Sequence, residues 1–257
     1  RISFKRSPDI GRLLRDGELI GAGQTAVLHQ NFYSYTNPTF EFPNHHWLAA
    51  VAAHTVSKAA GFEALNLLWI TLAASAFLFY LTLAEQESGP LPAAIFASAL
   101  LPLMASRPGI RPENFSLLLS AIFFYLLWRD YRGTASSHWL WALPLLEAFW
   151  VNLHPGFAIG LVFIGAFLLA ELFRVFKKEE PTGSTKLLQL AAVLGLSCAA
   201  GLANPNGLKG LLFPFTVSNN YAMDVRENLS MFAIDDMPIA PLTIAVAAVL
   251  AGVWLIA

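Results

Sequence analysis

The sequence predicts an all-α fold, a polytopic bundle of transmembrane helices, and three observations carry that prediction. Of the 257 residues, 56% are hydrophobic and only 13% are charged, whereas a soluble domain carries about 25% charged residues. The mean hydropathy is +0.55. Apolar stretches near the ~17–25 residues that cross a bilayer recur from Gly61 onward, separated by short polar connections. Sixteen Lys and Arg against 17 Asp and Glu leave a net charge of −1. That balance excludes the basic field on which nucleic-acid binding depends. The single cysteine, Cys198, excludes a disulfide framework or a thiolate zinc site within one chain.

Taken in order, residues 1–60 read as an extracytoplasmic segment with short helices, and residues 61–257 as the transmembrane bundle. Ser7, Pro8 and Asp9 form a helix start, with Ser at the N-cap, Pro at the first helical position and an acid in the first turn. Asp16-Gly17 is expected to close that helix. The aromatic segment NFYSYTNPTFEFP (31–43) reads as an ordered loop. From Asn44 a helix of about 15 residues is expected, with Trp47, Leu48, Val51 and Thr55 on one side. It is too short to span and suited to the membrane surface.

About seven spans are then expected: Phe62–Ala84, Leu91–Ser106, Asn114–Trp128, His138–Asn152, Phe157–Phe173, Leu187–Leu202 and Ile239–Ala257, the last truncated. The chain opens at Arg1 without Met and stops inside an apolar run, so a further membrane helix is expected before Arg1 and a continuation after Ala257. With residues 1–60 outside, Arg129, Arg132, Arg174, Lys177, Lys178 and Lys186 fall in inner loops, and Arg107, Arg111, Lys209 and Arg226 in outer ones. The bias follows the positive-inside rule, and Trp128, Trp139 and Trp141 mark a boundary.

This topology gathers most of the noteworthy polar residues on the outer side. Asp9, Arg12 and Asp16 share one helical face at i, i+3 and i+7. That is the pattern of a solvated face, and equally of a base or metal ligand held at the bilayer edge. Arg107, Arg111 and Glu113 occupy SRPGIRPENFS, where Pro108 and Pro112 break the helix and Asn114 is placed to cap the next one. Paired guanidiniums at headgroup level suit a phosphate ester, which they match bidentately; interfacial Arg also anchors helix ends. Glu147 lies inside an apolar span and returns to nearly the same face as His154 seven residues later, about 10 Å along the axis. Asn152 and His154 sit in the reversing turn WVNLHPGF. His45 and His46 are adjacent, so on a helix they diverge by about 100° and do not share a metal. Asn204-Pro205-Asn206-Gly207 is turn chemistry ahead of a short apolar piece, Leu208–Phe215.

The order of an Asp-bearing segment, an aromatic loop, a surface helix beginning HHWL and a short hairpin carrying RPEN resembles the bacterial GT-C-type integral-membrane glycosyltransferases. The likeness is to the branch near the protein mannosyltransferases, aminoarabinose transferases and Rgt-like enzymes. The pieces PDIGRLLRDGE, NFYSYT, NHHWL, RPENFSLLL, WVNLHPGF and ANPNGL resemble an uncharacterised bacterial branch placed near that superfamily. The resemblance implies a GT-C-like bundle in a bacterial inner membrane, an outward active site and a polyprenyl-phosphate-linked sugar donor. It also implies an acid in the first outer loop that activates the acceptor or helps hold a divalent cation. Asp9 matches that acid by position, and Glu113 matches the acid that follows Arg-Pro in the second outer turn. The sequence departs from the family's adjacent Asp-Glu pair, because Ile10 follows Asp9. On this reading Asp9 and Glu113 are the catalytic acids, and Arg107 and Arg111 clamp the donor phosphate. Asn44, His46, Glu147, Asn152 and His154 then contact substrate. The competing readings are a transporter or flippase with the same residues along its pathway, and a non-catalytic membrane scaffold.

Overall fold

The computed structural model describes residues 9–37, 40–105, 109–177 and 183–216. Arg107, Arg226 and the expected span Ile239–Ala257 lie outside them. The described residues are helical, apart from loops and one isolated antiparallel bridge between Gln30 and Glu41.

Eight α-helices are described: α1 (Ile10–Gly21), α2 (Trp47–Ser88), α3 (Pro90–Ala105), α4 (Glu113–Tyr131), α5 (Ala142–Leu153), α6 (Ala158–Phe176), α7 (Gly183–Ala200) and α8 (Gly207–Thr216). They fall into two compact units. The first comprises residues 9–77 and 110–214 among those described, and the second is built on residues 78–109.

In the second unit, the last turns of α2 lead into α3 through Gly89 alone. This glycine adopts φ +83°, a left-handed conformation that lets the chain reverse without a longer loop. Leu83 and Ala93 are buried there.

In the first unit, α4 to α7 alternate in direction and pack as neighbours, α4 on α5 and α6, and α7 on α5 and α6. Their core holds Phe123, Leu127, Leu143, Trp150, Phe157, Ile164 and Val193. One end of the bundle is closed by basic residues in the end turns of α4, α6 and α7. Lys186 Nζ lies 3.2 Å from an Asp130 carboxylate oxygen and donates to the Asp130 carbonyl, Arg174 donates to the Tyr131 carbonyl, and Arg129 to that of Thr134. The outward faces carry exposed Leu145, Phe149, Val162, Leu169, Phe173, Leu188 and Leu196. Helices apolar on the outside as well as the inside are the pattern of chains that meet lipid. Among the described residues, two helical segments are long and apolar enough to cross a membrane, Trp47–Ser88 and Pro155–Phe176.

Several expected boundaries move. The helix expected to close at Asp16-Gly17 runs on to Gly21 and begins with Asp9 at its N-cap, so Asp9 is not a first-turn acid. Gly17 is a packing residue: a Cβ there would collide with the Ala50 carbonyl and the His54 Cβ. The surface helix expected from Asn44 starts at Trp47 and buries Ala49, Ala50 and Ala53 rather than the Trp47 stripe, because small residues let α1 approach closely. Gly61, with φ +80°, joins it across a kink to the apolar arm that follows. The expected span His138–Asn152 is a 3₁₀ turn, Ser137–Trp141, followed by α5. At 12 residues, roughly 18 Å, α5 does not cross a bilayer alone. Asn114 does not cap α4; Pro112 holds that position, and the Asn114 amide donates to the Trp69 carbonyl at 3.2 Å.

Candidate functional site

At the end of the bundle opposite Lys186, polar side chains from six stretches of chain form a cap. α1 reaches it through apolar contacts: Ile10, Leu13 and Leu14 join Ala50, Ala53, Leu65, Trp69, Ile110 and Phe115 in one hydrophobic cluster. That cluster joins the apolar face of α1 in one core with Ile110 and Phe115, on either side of Arg111 and Glu113 in the chain.

The buried acid of the cap is Asp16, only 4% exposed. Its carboxylate accepts the Tyr33 hydroxyl on one oxygen and the Asn44 amide, at 3.0 Å, on the other. The Arg12 guanidinium lies 3.7 Å from that second oxygen and 4.9 Å over the Phe42 ring. Burial, and then the Asp16 carboxylate itself, push the Tyr33 phenol above its ordinary range. Asn44 is saturated, since its amide also donates to the Val27 carbonyl and its oxygen accepts the His46 backbone N–H. Asp16 and Asn44 therefore fasten the aromatic loop to α1, and Asn44 offers no spare atom to a substrate. Asp9, by contrast, is exposed at the start of α1.

Three histidines meet beneath this lock. His45 and His46 precede the first turn of α2 and are not helical, so their rings do not diverge as expected; their centroids are 4.0 Å apart. His46 lies 5.4 Å from His154, and His45 stacks on Phe213 at 4.1 Å. Burial pushes His45 down to about 3, His154 down to about 4 and His46 well below the usual imidazole value. Arg12 and the neighbouring rings add to the effect on His45 and His46, whereas the negative charge of Glu113 opposes it at His154. All three imidazoles are neutral at pH 7.

The orientation of His154 is set by groups the sequence reading passed over. Trp150 Nε1–H donates to Ser116 Oγ at 2.7 Å, and Ser116 Oγ lies 2.8 Å from His154 Nδ1, which also accepts the Gly156 N–H at 3.0 Å. Nδ1 is therefore the acceptor nitrogen, and the neutral ring carries its proton on Nε2. A serine in the apolar helix after RPEN was the only sequence signal for this relay.

Arg111 and Glu113 flank the start of α4, with Nη1 3.6 Å from Oε1, and the Arg111 carbonyl accepts Trp69 Nε1–H at 2.7 Å. Both side chains keep partial exposure.

Two further residues expected to contact substrate are buried in the protein. Asn152 is buried and fully used: it accepts Trp47 Nε1–H at 2.7 Å and donates to the carbonyls of Ala148 and Ala203, which ties α2, α5 and the end of α7 together. Glu147 is 0% exposed inside the bundle, beside Gly160, and neither of its oxygens has a hydrogen-bond partner. It is closed to any substrate at the cap. Among the described residues no three His, Cys, Asp or Glu side chains are placed to hold a metal ion, and both Asp16 oxygens are engaged by protein donors. The described residues do not fit the divalent cation that the resemblance implies.

Comparison with family models, with curated proteins and with solved structures found no match.

Proposed function

We propose that the chain is an integral-membrane glycosyltransferase of the GT-C type in a bacterial inner membrane, transferring a sugar from a polyprenyl-phosphate donor to an outward-facing acceptor. The observation that carries this reading is the convergence of α1, His46, His154, Arg111 and Glu113 on one end of the bundle, through the hydrophobic cluster and the histidine contacts. The exposed apolar faces of α5, α6 and α7, and the two helical segments long enough to span, support a membrane setting with the histidine cap outside and the Lys186 end inside.

In this scheme the exposed Asp9 carboxylate takes the proton of the acceptor hydroxyl. The acceptor oxygen then attacks the anomeric carbon, and the lipid phosphate leaves with the electrons of the broken bond. Arg111, with Arg107 from outside the described residues, neutralises the charge that develops on the phosphate. Glu113 orients Arg111. Neutral His154 offers Nε2–H as an uncharged donor, and His46 lies beside it.

The deciding experiment is transfer of labelled sugar from a polyprenyl-phosphate donor in membranes. Asp9→Asn is expected to lower turnover by roughly 10²–10⁴-fold with expression unchanged. Arg111→Lys is expected to weaken donor binding although the charge is kept, because the planar fork is lost. Full activity in Asp9→Asn would sink the catalytic role. For the topology, outside labelling is expected at a cysteine replacing Ser34 and not at one replacing Ser136.

A transporter reading draws on Glu147 and Glu171, both fully buried acids inside the bundle. Substrate movement without sugar transfer, abolished in Glu147→Gln, would favour it.

A further inference from the structure

The loop that carries the aromatic residues is held in a defined shape. Gln30 and Glu41 form the antiparallel bridge, the Asn31 N–H donates to the Phe40 carbonyl at 3.0 Å, and the Phe42 N–H donates to the His29 carbonyl at 2.9 Å. Between this loop and the turn before α8 lies an open polar cleft of about 420 Å³, within the ~300–1,000 Å³ of small-molecule sites. Its walls include His29, Gln30, Glu41, Asn206 and Lys209.

The polar groups of the cleft are oriented. The Asn206 amide donates to the Leu28 carbonyl at 3.1 Å, which fixes its oxygen toward His29 Nδ1 at 2.8 Å. Nδ1 is therefore the donor, and in the neutral ring Nε2 keeps its lone pair. Lys209 and Glu41 form an exposed ion pair across the cleft, so their charges cancel. An alternation of donors and acceptors without excess charge matches hydroxyl groups better than it matches an anion. On the same loop, Phe32, Tyr33, Tyr35 and Phe40 expose aromatic surface, and Phe32 and Tyr33 meet edge to face at 5.6 Å. These rings are not among the walls of the cleft, where the alternating donors and acceptors by themselves complement the hydroxyls of a sugar.

We propose that this cleft is the acceptor subsite and that it takes a neutral, hydroxyl-rich oligosaccharide; the inference rests on the transferase reading and adds the acceptor class to it. The test is saturation-transfer NMR on the full chain in lipid nanodiscs, with maltotriose, chitotriose and xylotriose as probes and inorganic phosphate as competitor. Saturable binding of at least one sugar is expected, unaffected by phosphate. His29→Ala and Lys209→Ala are each expected to weaken it about tenfold, the loss of one or two hydrogen bonds. Absence of binding for all three sugars, displacement by phosphate, or equal binding in both cleft variants overturns the subsite. A probe at Tyr35 quenched by brominated lipid also overturns it, because the aromatic loop then lies in the membrane surface. Sugar binding with no transfer from any donor leaves the subsite standing and removes the transferase reading. Transfer with an unchanged acceptor KM in His29→Ala does the reverse.

Discussion

In the cap, Asp16, Asn44 and Asn152 are buried and each of their polar side-chain atoms has a hydrogen-bond partner. In the interior of the α4–α7 bundle, Glu147, Glu171 and Ser197 are buried just as completely, yet their side-chain oxygens have no hydrogen-bond partner; only Glu171 has a guanidinium near it, that of Arg174 at 3.6 Å. The difference separates two uses of polarity. A saturated network specifies geometry, because every rotation of a member breaks a bond. An isolated acid specifies no geometry. The cap thus holds its side chains in defined positions, as the Asp130–Lys186 network does at the other end, whereas the interior acids do not.

The largest test of the contrast is at Gly17. Its replacement by Val pushes α1 off Ala50 and is expected to cost about 3 kcal/mol or to undock the helix. Thermal melting and proteolysis at residues 22–37 measure it, and a wild-type melt would show that the cap does not depend on this contact. Next comes Asp16→Ala, which strands the Tyr33 hydroxyl and the Asn44 amide and is expected to cost about 2–3 kcal/mol. Asp16→Asn should retain more, since one acceptor oxygen remains.

Acid provides the third test. The folded-state values of His45, His46 and His154 lie below the ordinary imidazole value near 6.5, so the unfolded chain binds protons first. Stability is expected to be complete above about pH 6.5. It is then lost as pH falls toward 4, by about 1.4 kcal/mol per pH unit for each histidine. His154→Asn should flatten this slope in a pH series of melts, and an unchanged slope would place the acid sensitivity elsewhere.

The smallest effect belongs to the bundle. Glu147→Met removes an acid without breaking a hydrogen bond and is expected to leave stability within about 1 kcal/mol of the parent or to raise it. A marked loss would reveal a partner for Glu147, and the contrast between cap and interior would narrow.

Much of this molecule was legible in its residue order. Low charge and recurring apolar runs predict helices with apolar outer faces, because backbone groups in an apolar setting must pair within their own segment. The breaks at Gly61, at Pro112 and at the HPGF turn fall where glycine and proline permit or force them. The grouping of Asp16, Asn44, His46, Arg111, Glu113 and His154 at one end follows from helices that alternate in direction. What residue order did not decide is which polar groups are spent on structure. Asp9 and Asp16 share a helical face, yet one is exposed and the other is enclosed by Tyr33 and Asn44 from a loop 17 to 28 residues away. Glu147 and His154 also share a face, yet the first is sealed beside Gly160 and the second is oriented by Ser116 and Gly156. Periodicity sets the side of a helix on which a group lies, through local dihedral geometry. Its burial and its hydrogen-bond partners depend on what another segment brings to that side, and only tertiary packing determines that.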